Sequence, residues 1–484
     1  MPHRTRFHMQ REDPSGGPVK KIRLSVALIP LVAMGLLLGI GYGVYKIRPQ
    51  VLLIGAAFIT GCLGFLLHFS WKEMEEGIVD SIHKAMPAIL IMLCVGVLIG
   101  SWIASGTIPM IIYFGLKLIS PKYFLVTACF VCSLTSIATG TSWGTIGTLG
   151  VAFIGIALGL GIPLGPAAGA VVSGAYFGDK MSPFSDVTNL APVAAGSNLF
   201  DHIKHMMWSA APAWMTGLVI YLFVGLNMNT GAGEVSSESM LIIMRTLKDH
   251  FSFHWLLLLP MIIVFYFAAH KKPTIPGMLL SSLTAGILAV LFQHATIPEI
   301  ATALNTGYQA DTGVAQVDQL ISRGGMMSMM ETQLVAFTAF SFGGIMQKTG
   351  LLSTILDRVM KFADKVSTIV LTTITASLVT ALITGSSYLS MIIPGELLAP
   401  VYKKRKLAAK NLSRIIEESG AIMVPLIPWS MAGVYITGTL GISTFSYLPW
   451  AFMNYLSVII LAVFGFTKFT MSSRIQEDET RIGS

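Results

Sequence analysis

The chain has 484 residues, of which 54% are hydrophobic and only 12% charged. Soluble domains carry about 25% charged residues, so the composition excludes a water-soluble globular protein and points to an all-α polytopic membrane protein. The formal net charge of +8 does not signal nucleic acid, because membrane proteins gather Lys and Arg in their cytoplasmic loops and a nucleic-acid patch needs a soluble face.

Residues 1–23 are polar and basic and contain Pro14-Ser15-Gly16-Gly17-Pro18. They read as a disordered cytoplasmic tail. The apolar run that follows lacks a small-residue cleavage site, so it reads as a first span and not a removed signal peptide. A span needs about 20 apolar residues. On that measure spans fall near 24–45, 51–69, 85–104, 206–227, 251–269, 276–293, 329–348 and 446–468, with interrupted spans at 165–195 and 405–438. Stretches 123–160 and 367–402 are apolar runs split by a short uncharged Gly/Ser/Thr cluster. Polar backbone at membrane depth must be held inside protein, so each reads as a re-entrant helical hairpin. Residues 107–119 and 350–362 are shorter apolar segments, and whether they cross stays open. Cys62, Cys94, Cys129 and Cys132 lie in apolar runs without zinc-site spacing and read as buried thiols. The methionines at 326, 327, 329 and 330 read as apolar packing.

The two halves are alike. Thr139-Gly140-Thr141-Ser142-Trp143 matches Thr384-Gly385-Ser386-Ser387-Tyr388, and Pro183 matches Pro428 in the same register; Gly100 and Gly106 match Gly344 and Gly350 one residue out of it. This predicts two inverted repeats, 24–227 and 251–468, each of about five spans, one hairpin and one broken helix, a common transporter plan. A linker at 228–250 joins them and a cytoplasmic tail, 469–484, ends the chain. With both termini cytoplasmic, most of the 32 Lys and Arg fall on the cytoplasmic side, Lys271-Lys272 and Lys403-Lys404-Arg405-Lys406 among them, as the positive-inside bias requires.

The chemistry concentrates at 173–192, where Asp179, Lys180, Ser182, Ser185, Asp186, Thr188 and Asn189 stand between apolar runs with Gly178 and Pro183. Charge at membrane depth costs about 2.5–3.5 kcal/mol per group on insertion scales, so such a stretch marks a functional site. Gly178 and Pro183 are expected to break one helix, and Gly420, Pro425 and Pro428 the other, freeing carbonyls at half-helix ends that favour cations. Thr139, Thr141, Ser142, Ser182 and Asn189, with Thr384, Ser386, Ser387, Glu418 and Ser419 in the second half, are the candidate oxygen ligands. Asp179 and Asp186 are the candidate carboxylates for Na⁺. A buried carboxylate that holds a proton or Na⁺, but not both, suffices for exchange. Plainer readings compete: an Asp179–Lys180 ion pair, an Arg414 salt bridge to Glu417 or Glu418, solvated Glu331 and Asp201, and hydroxyls that merely bond back to their own helix. Glu396, in the second hairpin arm, fits a water-filled vestibule or an ion path.

Gly174-Ala175-Tyr176-Phe177-Gly178-Asp179-Lys180-Met181-Ser182-Pro183 with Ser185-Asp186 resembles the signature of the NhaC-type Na⁺/H⁺ antiporter family, in the wider ion transporter superfamily. The likeness continues in Asn411-Leu412-Ser413-Arg414, Glu418-Ser419-Gly420, Pro425-Leu426-Ile427-Pro428-Trp429 and Gly438-Thr439-Leu440-Gly441. It implies a homodimeric exchanger of Na⁺ against H⁺ in a bacterial inner membrane, with no cofactor besides its transported ions. Some members resemble exchangers of malate and lactate, so small organic acids or amino acids are the alternative substrates. The chain departs from the family at Val187, Ser387, Val424 and Ser430-Met431, which makes the second break less polar. An enzyme is not expected: there is no His-Glu-x-x-His, and Tyr176 stands where an intramembrane aspartyl protease motif needs glycine.

Overall fold

A computed structural model describes residues 22–228, 234–270 and 272–471, with the side chains of 234–239 outside that description. The two expected tails, apart from 22–23 and 469–471, and Lys271 lie outside the described residues. Among the described residues every regular element is helical. Eight helices are long and apolar enough to cross a membrane, or up to eleven if each bent pair is one span.

Several boundaries differ from expectation. The third span begins at Trp71 and runs to Ala104, because Ser70 and Glu73 form a capping box that starts the helix well before its apolar part. The expected linker contains a helix, Glu234–His250, which turns by 104° into the next helical segment, Trp255–Ala269. Its apolar face is buried at Ile243 and Leu247, so packing orders what composition suggested was a connection. Cys62 is exposed on the outer face of Pro49–Leu66, while the other three cysteines are buried as expected.

The long helices Trp71–Ala104 and Met326–Lys348 pack together. A Cβ at Gly77 would lie 2.8 Å from the Gly344 carbonyl oxygen, and one at Gly344 would lie 2.4 Å from that of Gly77. Small residues let backbones approach in this way where lipid removes the hydrophobic drive for association.

Around this pair the two halves repeat the same order of parts. A short helix, Thr107–Leu118 or Leu351–Met360, follows a left-handed glycine. Then comes a hairpin, with arms Phe124–Thr139 and Ser142–Gly159 in the first half and Val366–Thr384 and Leu389–Lys404 in the second. The first arm of each ends on a glycine of positive φ, Gly140 at 68° and Gly385 at 61°. A broken helix follows: Leu164–Met181 with Asp186–Ala195, and Ala409–Leu426 with Met431–Leu440. Serine caps the second piece in both, Ser185 accepting from Thr188 N and Ser430 from Gly433 N.

Gly178 is not a break. The helix runs through it to Met181, and the interruption falls at Ser182–Ser185, which includes Pro183. Gly178 and Gly174 serve close packing instead: a Cβ there would lie 2.3 Å from Ser133 O and 2.2 Å from Cys129 O on the hairpin arm. In the second half Gly420 lies in a π-helical turn, Glu417–Ala421, Pro425 in a 3-10 turn, and Pro428 in the gap before Met431. Overpacking a tight contact costs about 1–3 kcal/mol. Gly174→Ala is therefore expected to lower the melting temperature of the detergent-solubilised protein by several degrees, read by fluorescence-detected size exclusion after heating; an unchanged melt would disprove the tight interface.

Candidate cation site at the helix breaks

Each hairpin tip rests on the break of its own half. A Cβ on Gly140 would meet the Phe184 carbonyl carbon at 2.6 Å, and Gly385 O accepts the Met431 N–H at 3.0 Å. Each tip also reaches into the other half. Trp143 stacks on Tyr435 with ring centres 4.3 Å apart, and the Tyr435 hydroxyl donates to Trp143 O at 2.6 Å. Tyr388 donates to the Asp186 carboxylate.

The Asp179 carboxyl lies where the first tip meets the first break. It is buried at the end of its half-helix, and the Ser142 hydroxyl donates to its Oδ2 at 2.7 Å. Ser185 also stands beside it. Its Oδ1 is buried without a partner. The Thr188 hydroxyl, with one hydrogen to give, lies within reach of the freed carbonyls of Asp179 and Lys180 at 3.2 and 3.3 Å. Asp186 is exposed at the start of the second half-helix, within electrostatic reach of Asp179.

The other expected ligands divide. Ser142 is the hydroxyl brought to the carboxylate. Thr139, Thr384 and Ser419 bond back to Thr135 O, Thr380 O and Ile415 O at 2.9, 2.7 and 2.6 Å. Thr141 caps the second hairpin arm and Ser386 accepts from Leu389 N. Ser182 donates to Ile137 O at 2.7 Å, pinning the break to the tip. Asn189 donates to Pro183 O and Ser185 O. Ser387 is half-buried, and its carbonyl accepts the Ser390 hydroxyl. Glu418 accepts from Ser209 Oγ at 2.6 Å.

Lys180 pairs with neither aspartate. Its Nζ faces Glu417 Oε1 of the second half at 3.7 Å. Glu417 also binds His202 Nε2 at 2.7 Å through Oε2, and Oε1 is a third acceptor within reach of the Thr188 hydroxyl, at 3.2 Å. His202 Nδ1 meets Ser413 Oγ at 2.9 Å. Arg414 is fully buried and makes no ion pair with Glu417 or Glu418 among the described residues; it reaches Thr470 Oγ1 at 2.9 Å. Glu331 is exposed and pairs with Arg48. The residues missed from sequence are Glu417 as a bridge and His202 as its partner. A signal existed: His202, His205 and Ser209 form an i, i+3, i+7 polar stripe on the largely apolar helix Leu199–Asn227.

Among the described residues no group of His, Cys, Asp and Glu could hold a resident metal. The donors at Asp179 are oxygens, one of them orphaned, which suits a hard monovalent cation. Buried charge at paired helix breaks, in a duplicated all-helical membrane fold, defines a secondary transporter.

The sequence profile of the Na⁺/H⁺ antiporter family matches residues 26–175 and 174–469. An uncharacterised Na⁺/H⁺ antiporter of Haemophilus influenzae is 42% identical, the match covering 91% of this chain and 95% of that one. The Na⁺/H⁺ antiporter NhaC of Alkalihalophilus pseudofirmus is 34% identical, over 92% and 96%. A malate-2H⁺/Na⁺-lactate antiporter of Bacillus subtilis is 35% identical, over 93% and 96%. The chain belongs to the Na⁺/H⁺ antiporter family.

Removing one partner of a buried ion pair costs about 3–5 kcal/mol, because the other charge is stranded. Glu417→Gln should therefore lower the melting temperature markedly, and Lys180→Met combined with it should recover most of the loss. If the double variant melts no higher than Glu417→Gln, Lys180 and Glu417 are not coupled.

Proposed function

We propose that this protein exchanges Na⁺ for H⁺ across a bacterial inner membrane by alternating access, with both termini cytoplasmic. The observation that carries the reading is the orphaned, buried Oδ1 of Asp179 beside Ser142 at an interrupted helix. Na⁺ or a proton satisfies this carboxyl, and each displaces the other. Ser142 and Ser185 complete the first ligands. Asp186, exposed and held by Tyr388, presents charge at the approach to Asp179 and draws the cation in. The two hairpins and two broken helices form the moving unit, and the repeats are inverted, so that each tip closes one side. In this reading the protein is a homodimeric transporter and not an enzyme, and it works without a cofactor.

A small organic acid as co-substrate draws support from the malate-2H⁺/Na⁺-lactate relative. Bidentate Arg forks suit carboxylates, but the hairpin tips contain no Arg, so Na⁺ and H⁺ alone remain the better-supported pair.

The test is Na⁺-driven proton movement in everted vesicles. Asp179→Asn is expected to abolish it. Ser142→Ala removes a hydrogen bond to a charged group, worth about 1.5–3 kcal/mol, and should raise the half-saturating Na⁺ concentration about tenfold or more. Asp186→Asn should retain exchange at a raised half-saturating concentration. Full activity in Asp179→Asn would remove the central assignment.

A further inference from the structure

Away from Asp179, one buried polar cluster is short of hydrogens. Glu418 is fully buried in the π-helical turn Glu417–Ala421. Its Oε2 accepts the Ser209 hydroxyl, while its Oε1 has no partner. Ser457, on the last helix, Phe452–Thr467, stands beside this carboxyl, and its Oγ is also unpartnered. One turn away Asn454 donates its amide to Ile422 O at 2.8 Å. That bond fixes the orientation of the amide and leaves Oδ1 unpartnered. Ser209, Asn454 and Ser457 are all fully buried.

The charged groups that face Glu418 are Lys180, from the first broken helix, and Arg414, one turn earlier on its own. Neither pairs with it directly: Lys180 faces Glu417, and Arg414 reaches Thr470. Two unpartnered oxygens, Glu418 Oε1 and Ser457 Oγ, thus stand side by side, and Asn454 Oδ1 is a third on the same helix as Ser457.

We propose that Glu418, with Ser209, Ser457 and Asn454, forms a second cation site, apart from Asp179, that takes a proton on one side of the membrane and releases it on the other. A proton on Oε1 turns that oxygen into a donor toward Ser457 Oγ and supplies the missing hydrogen. One carboxylate oxygen, one hydroxyl and one amide oxygen are too few to replace the water shell of Na⁺. The step forms one O–H bond on Oε1 with a proton taken from water on one side and breaks it by returning the proton to water on the other. With Asp179 serving as the exchange carboxylate, on which this inference rests, two protons cross for each Na⁺ and exchange moves net charge.

The test uses the purified full chain in proteoliposomes at a clamped membrane potential. The Na⁺ gradient that just balances an imposed pH gradient gives the H⁺:Na⁺ ratio. The wild type is expected to show two protons per Na⁺ and a rate that responds to the potential. Glu418→Gln should halve the ratio to one and remove the response to potential. A wild-type ratio of one, or an unchanged ratio and voltage response in Glu418→Gln, overturns the proposal. A ratio below one overturns it too, since that would put Na⁺ at the second site. Asp179→Asn, run in parallel, reports on the first carboxylate alone: exchange that survives there removes the Asp179 reading, whatever the Glu418 variant does. If Glu418→Gln does not fold, infrared difference spectra on raising the pH in the absence of Na⁺ take its place. Two protonated-carboxyl bands should disappear from the wild type, one of them shifted in Ser457→Ala. A single band, or no shift, overturns the proposal.

Discussion

Glu417 is where the two halves of the molecule meet electrically. It is fully buried in the second broken helix, yet it takes up Lys180, His202 and Thr188, all from the first half. Taking an ammonium and a carboxylate out of water costs several kcal/mol each, and attraction offsets that only when further hydrogen bonds satisfy the remaining atoms. Here they do for the carboxylate, whose two oxygens are both engaged. The consequence for the site is indirect but decisive. With Lys180 committed to Glu417, its charge is spent elsewhere, and the adjacent Asp179 keeps one oxygen free.

The hairpins add a second link between the halves. Each tip rests on its own half's break and touches the opposite half through one aromatic residue, Trp143 on Tyr435 and Tyr388 on Asp186. These contacts join tips and breaks into one body. The long-helix pair packs directly on this body: a Cβ at Gly343 would lie 2.7 Å from Ile383 O, and one at Gly438 would lie 2.6 Å from Thr332 Oγ1.

How much was legible follows from the kind of signal each residue leaves. The broken helices, the Gly/Ser/Thr interruptions of apolar runs and the burial of Asp179 at one of the breaks were readable, because a carboxylate and polar clusters inside apolar runs have few physical explanations. Gly178 was misread. A glycine before a proline looks like a break, whereas its use here is to let a helix lie against Ser133 and Ser136. Several hydroxyls, Thr139, Thr384 and Ser419 among them, were indistinguishable from ligands by type and spacing, and they bond back to their own helices. His202 left a polar stripe that went unread because histidines at a span's start usually face water.

The sequence alone determined that the chain is helical, crosses the membrane many times, and keeps acidic groups at its interruptions. Local hydrophobicity and register encode all of this. It could not determine which charges pair. Lys180 lies next to Asp179 in the chain and yet faces Glu417, while Arg414 lies on the same helix as both glutamates and pairs with neither. Only the packing of one half against the other decided these partners, because Coulomb attraction and hydrogen bonding act through space, and the separation along the chain does not enter them.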